Sequence, residues 1–183
     1  MLAPTVTADR RFTAAPQDIL LSFWRYRGLI WQMTKRDIVG RYRGSAMGLL
    51  WSLFNPILML GVYTFVFSVV FKARWSTAVE ESRVDFAIVL FAGMIVHGLF
   101  ADCVNRAPSL ILSNVNYVKK VVFPLETLCW VAMGSALFHA VVSLAVLIIA
   151  QLIVSFSLPW TIVFFPLVIF PLVLVTTGLA WFL

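Results

Sequence analysis

At 183 residues and 20.6 kDa, the chain is 62% hydrophobic and only 12% charged, with a mean hydropathy of +0.97. A soluble domain is about 45–50% apolar and about 25% charged, so a soluble enzyme, a disordered chain and a disulfide scaffold are excluded, and a polytopic all-α membrane protein remains. The charges are uneven: eight basic and three acidic residues in 1–47, three of each in 72–85, three basic and two acidic in 102–126, and none in 127–183.

The basic N-terminal segment is interleaved with Trp, Ile and Leu and leads straight into an apolar run, which favours a membrane-proximal role over nucleic-acid binding. Basic residues beside a first span mark the cytoplasmic side. No cleavable signal peptide is evident, because the first 47 residues are polar or mixed. Within 17–43, Leu20, Phe23, Trp24, Ile30, Trp31 and Ile38 share one helical arc, with Arg25, Gln32, Lys35 and Arg36 mostly opposite. Arg27 and Asp37 interrupt the apolar side. The segment reads as a helix lying in the headgroup plane or as a solvated juxtamembrane tail. Gly40, Gly44 and Gly48 recur every fourth residue, which fits a hinge or a close packing face equally.

The first span is expected over Gly48–Phe71; its 24 residues reach about 36 Å, enough to cross a core of about 30 Å with tilt. Pro56 should kink or loosen the turn at its inner end. The second span, about Phe86–Val104, contains only a marginal uncharged run. Asp102 then belongs at the inner interface or in a protein-lined cavity.

The segment 106–126 has an apolar side of Leu110, Ile111 and Val115 behind Pro108-Ser109, which can open a short helix. Lys119 and Lys120 sit at the interface, and Phe123-Pro124 restarts the chain with Glu126 near the next helix N-terminus. A short amphipathic helix held between two spans suits docking of a cytosolic partner; an ordinary interfacial loop is the other reading.

The uncharged stretch 127–183 is too long for one crossing and divides at Ser155–Pro159, giving spans near Leu125–Val154 and Trp160–Leu183. Trp51, Trp130 and Trp181 fall near inner ends, and Trp75 and Trp160 near outer ends, as interfacial indoles do. Cys103 and Cys129 read as reduced, packed thiols. The Ala132, Ala136, Ala140 face reads as helix packing. His97 and His139 lie within spans, where an ionisable residue is a functional candidate or a neutral hydrogen-bonded imidazole. No GxxxxGK[ST] phosphate loop, HExxH or Ser/His/Asp arrangement occurs.

The run 29–71, with Arg36-Asp37, Arg41-Tyr42, Ser45, Gly48, Trp51 and Pro56 in order, resembles the start of ABC-2-type permeases that export polysaccharides. NYVKKVVFPLETL (116–128) resembles the segment these permeases carry before their third span. The likeness points to the O-antigen and lipopolysaccharide export branch. It implies a permease, not an enzyme, working as a homodimer in the bacterial inner membrane and moving a lipid-linked polysaccharide. It implies no cofactor on this chain, with ATP and Mg on a partner ATPase subunit.

By the same resemblance, residues 1–47 form a cytoplasmic tail and interfacial gate helix carrying Trp24, Trp31, Arg36, Asp37, Arg41 and Tyr42. Residues 48–183 form the first four spans of a six-span domain, so the chain is expected to be truncated. Arg106, Leu110, Ile111, Lys119 and Lys120 are expected to couple to the ATPase, and Trp51, Phe54 and Tyr63 to border the glycan path. A membrane-embedded glycosyl- or acyl-transferase and a membrane adaptor are the competing classes; Asp102, Glu126 and the two histidines form no evident constellation for the former.

Overall fold

A computed structural model describes residues 16–71, 83–113, 126–156 and 160–182. Lys119, Lys120, Val115, Trp75 and the Phe123-Pro124 restart lie outside the described residues. All regular structure among the described residues is helical: α1 Pro16–Arg41, α2 Trp51–Phe65, α3 Arg83–Arg106, α4 Leu110–Ser113, α5 Glu126–Ser155 and α6 Phe165–Phe182. Among the described residues, four stretches are long and apolar enough to cross a membrane: Gly48–Phe65, Phe86–Leu112, Thr127–Val154 and Ile162–Ala180.

The break between α1 and α2 is a chain of tight turns. Ser45 N–H donates to the Tyr42 carbonyl at 3.2 Å and Gly48 N–H to the Ser45 carbonyl at 3.1 Å. Gly44 (φ 91°) and Gly48 (φ 52°) hold left-handed backbone that other residues adopt at a cost. These two glycines therefore serve the turns rather than a packing face, since nothing lies within 4 Å of a Cβ built on either. Gly40 stays helical, with open space around its Cα. Helix α2 runs through Pro56, which is buried beside Ser52, and ends in a π turn over Val66–Val70.

The second span is longer than the sequence reading gave. Helix α3 carries Asp102 and Arg106 within its last turns, and a 3₁₀ turn over Ala107–Ser109 leads into α4. The helix can hold these charges because α1 supplies partners of opposite sign. Residues 105–113 are thus helical rather than loop.

The spans alternate in direction. The ends of α3 and α6 and the start of α5 gather beside α1: Arg106 reaches Asp37, Cys129 Sγ donates to the Ala180 carbonyl at 3.5 Å, and Trp130 packs on Phe23. One core joins α3, α5 and α6 through Phe91, Leu99, Met133, Ala136, Ile169 and Ala180. Ala132, Ala136 and Ala140 are all buried, as a packing face requires, and both cysteines are free and buried.

A second cluster docks α1 on α5 through Ile30, Met33, Leu128, Trp130 and Val131. Gly134 makes this approach possible: a Cβ placed there would lie 2.9 Å from Thr34 Oγ1 and 3.0 Å from its Cγ2. The packed face of α1 is therefore rotated from the expected arc. Phe23 and Ile30 turn toward α5, whereas Trp24 and Trp31 remain 69% and 72% exposed. Trp130 is buried under α1 rather than set at a lipid surface.

Candidate functional site: a charge ring between two cavities

Helices α1 and α3 each carry an aspartate and an arginine one turn apart, Asp37 with Arg41 and Asp102 with Arg106. Side chains at i and i+4 share a helix face, so each helix presents a minus–plus pair, and the two pairs close into a ring. Arg106 Nη2 donates to both Asp37 oxygens, at 2.9 and 3.0 Å. Arg41 Nη2 donates to Asp102 Oδ2 at 3.0 Å, and Nη1 lies 3.5 Å from Oδ1. Within the helices, Arg41 lies 3.6 Å from Asp37 and Arg106 lies 4.0 Å from Asp102. Signs alternate all the way round and the ring is neutral. Its side chains are 27–32% exposed, so water screens them only in part. Asp37, which breaks the apolar pattern of α1, is on the packed side because Arg106 meets it there.

Tyr42 follows directly. Its hydroxyl lies 3.5 Å from His139 Nδ1 on α5, with the rings edge to face at 5.9 Å. Burial pushes the Tyr42 phenol above its ordinary range, Arg41 pulls it back, and Asp102 pushes it up. His139 Nε2 is buried and has no hydrogen-bond partner among the described residues.

A groove of about 410 Å³ opens between α2, α3 and α5. Its end beside α1 is polar, with Arg41, Tyr42, Asn55, Asp102 and His139; farther along, Met59, Tyr63 and Phe91 make it apolar. Its volume falls in the usual range for small-molecule sites. A cavity of about 330 Å³ lies on the other side of the ring, bounded by Met33, Arg36, Arg41, Arg106, Leu128 and Val131.

The structure thus brings Asp37, Arg41, Tyr42 and Arg106 together, with Arg36 on the neighbouring cavity and Tyr63 in the groove. It leaves Trp51 and Phe54 outside the groove, stacked edge to face at 5.4 Å on the exposed side of α2. Leu110 is turned inward: only 6% exposed, it packs on Cys129 and Ala132, so any outward contact of this segment falls to Ile111 and Leu112. Asn55 and Gly134 were given no role in the sequence reading, which held Asp102 for the inner interface or a protein-lined cavity and His139 for a functional candidate or a hydrogen-bonded imidazole; both line the groove. The Asp-x-x-x-Arg pattern at 37–41 and again at 102–106 is the signal that could have found the ring.

Both carboxylates are held by guanidinium groups. Among the described residues no cluster of three His, Cys, Asp or Glu could hold a metal ion. The arrangement is a ring of ion pairs flanked by two cavities, and the fold is that of a multi-pass helical membrane protein whose α1 is joined by charge to the end of α3.

The profile of the ABC-2 type transporter family matches residues 28–183, and the chain belongs to that family. It is 27% identical over 165 residues to the O-antigen export system permease protein RfbA of Myxococcus xanthus, a match covering 90% of this chain and 60% of that protein. A Klebsiella pneumoniae protein of the same name is 28% identical over 92 residues, covering 50% of this chain and 32% of that one. The chain therefore spans well under the full length of the relatives it matches.

Proposed function

We propose that this chain is the permease part of an ATP-driven exporter that moves a lipid-linked, O-antigen-like polysaccharide across the bacterial inner membrane. The observation that carries this reading is the 27% identity to an O-antigen export permease along 90% of the chain. A second permease copy completes the channel, and a separate ATPase subunit binds and hydrolyses ATP with Mg. The N-terminus is cytoplasmic, so α1 and the charge ring face the ATPase side. The segment through residue 47 serves as tail and interfacial helix, with Trp24 and Trp31 seated at the lipid surface, and the part from residue 48 serves as the membrane domain. The alternation of polar and apolar walls in the groove supports handling of an amphipathic cargo. Disrupting the reading frame tests the reading: lipid-linked glycan should accumulate on the cytoplasmic face, and normal surface glycan would refute it.

The orientation has its own test. Cysteine at Phe156, 90% exposed at the far end of α5, should react with an impermeant thiol reagent added outside. Cysteine at Leu112, 76% exposed beside α1, should react only from inside. The native thiols are buried and give little background. Reversed labelling would invert the topology.

Coupling to the ATPase is assigned to the outward side of α4. One buried aliphatic anchor contributes about 1.5–3 kcal/mol, so Ile111→Asp with Leu112→Asp should lower ATPase co-purification at least about tenfold while the permease stays inserted. Retained co-purification and export would move the docking surface elsewhere.

A further inference from the structure

His97 is an intramembrane ionisable side chain that neither the charge ring nor the groove uses. It lies in the spanning stretch Phe86–Leu112, behind Phe86 by about 16 Å at about 1.5 Å per residue, which is half-way through a core about 30 Å thick. Its side chain is exposed on the outside of the bundle, and among the described residues it has no hydrogen-bond, ion or ring partner. At that depth neither bulk water nor lipid headgroups reach it. An imidazole without a partner in hydrocarbon is unfavourable, and such a residue asks for a named partner. A second helix at the same depth would supply one.

The face of α3 around His97 suits a helix better than lipid or water. Gly93 and Ala101 lie one turn before and one turn after it, on the same side. Gly93 is exposed, and a Cβ built on it meets nothing within 4 Å. Small residues beside a histidine let two backbones approach closely enough for the imidazole to hydrogen-bond across the contact. Phe86, Leu90 and Val104 continue the same arc toward either end, so its polar character is confined to one side chain. A water-lined path would need polar groups along its whole depth. One imidazole between two small residues, with apolar side chains beyond, fits a closed contact.

We propose that the outward face of α3, centred on His97, is where two copies of this chain meet. Two copies inserted in the same orientation are related by a two-fold axis along the membrane normal, and an isologous contact sets like residues opposite one another. His97 then meets His97 of the second copy at equal depth. A neutral imidazole carries one donor and one acceptor nitrogen, so the face is complementary to itself and needs no other residue. The inference takes the second copy from the export reading and adds where it docks; it is tested without transport.

The experiment is oxidative cross-linking of the full chain in lipid bilayers, with subunit counting by single-molecule photobleaching on dilution. Gly93→Cys and Ala101→Cys should each give a disulfide-linked dimer with a membrane-permeant oxidant. Leu167→Cys, 70% exposed on α6, should not. The native thiols are buried and stay out of the reaction. His97→Leu should weaken dimer formation about tenfold, the effect of losing one interhelical hydrogen bond in a membrane. His97→Gln should recover most of that loss, because an amide also donates and accepts. Since His97 lies outside the core, circular dichroism should show unchanged helix content in both. Dimers that form without cross-linking at 93 and 101, or that ignore His97→Leu, would overturn this docking face and leave the second copy standing. Single subunits at every concentration would overturn both. Dimers cross-linked at 93 and 101 in cells whose surface glycan does not depend on this chain would refute the export reading and leave the docking face intact.

Discussion

Exchanging the two ring charges of α1 with each other, Asp37→Arg with Arg41→Asp, is expected to release α1 from the bundle although composition and net charge are unchanged. The exchange preserves the opposite-sign pair within α1. It makes both inter-helical edges repulsive, because position 41 then meets Asp102 with like charge and position 37 meets Arg106 with like charge. An exposed pair contributes about 0–1 kcal/mol and breaking a buried one costs about 3–5 kcal/mol. With side chains 27–32% exposed, two reversed edges should cost about 2–4 kcal/mol between those limits. Adding Asp102→Arg with Arg106→Asp restores alternation around the whole ring and should recover most of the loss. A disulfide reporter reads the docking. An ideal Cβ at Gly134 lies 3.6 Å from Thr34 Cβ, within the Cβ separation of about 3.5–4.5 Å that a disulfide needs. In a Thr34→Cys, Gly134→Cys background, cross-link yield should fall with the exchange and return in the fourfold variant. Equal yields in all three would show that the ring does not hold α1.

Three crossings were legible as long uncharged runs and the second as a marginal one, and the division at Ser155–Pro159 because proline opens a helix better than it continues one. The leading helix was legible as a helix but not in its facing. Both lipid and protein accept apolar side chains, so a helix that packs with one flank and exposes another spreads its apolar residues over a wide arc. Phe23 and Ile30 went to α5 and Trp24 and Trp31 did not, a choice fixed by the small residue at Gly134 and by Arg106 waiting for Asp37. The length of α3 was underestimated for the same reason. Hydropathy scores Asp102 and Arg106 as costs, whereas their partners on α1, more than sixty residues away in the chain, remove most of that cost. Leu110 was read as an outward anchor from its local pattern, yet Cys129 and Ala132 cover it. Contacts set by distant chain segments leave no periodicity in either segment alone.

The glycine at which α1 rests on α5 should be sensitive to volume, because Gly134 is the one glycine whose added Cβ meets another atom within 4 Å among the described residues. Thr34 is 6% exposed and β-branched, so its side chain has few alternative rotamers, and its Oγ1 has no hydrogen-bond partner among the described residues. A Cβ at position 134 meets Oγ1 at 2.9 Å and Cγ2 at 3.0 Å, closer than non-bonded atoms tolerate. Gly134→Ala should therefore cost about 1–3 kcal/mol as an overpacked contact, despite the better helix propensity of alanine, and Gly134→Leu should cost more and expose α1 amides to hydrogen exchange. Thr34→Ala alone should be nearly neutral, since it removes a buried hydroxyl that gains no bond along with one methyl. Combined with Gly134→Ala it removes both clashing atoms and leaves a Cβ contact of 3.6 Å, which is ordinary. The two substitutions should thus be strongly non-additive, with the double variant about as stable as Thr34→Ala alone. Unfolding of all four proteins in the same bilayer mimetic, with exchange measured on α1, decides the matter. Additive costs would mean that α1 does not rest on Gly134, and that the charge ring alone sets its position.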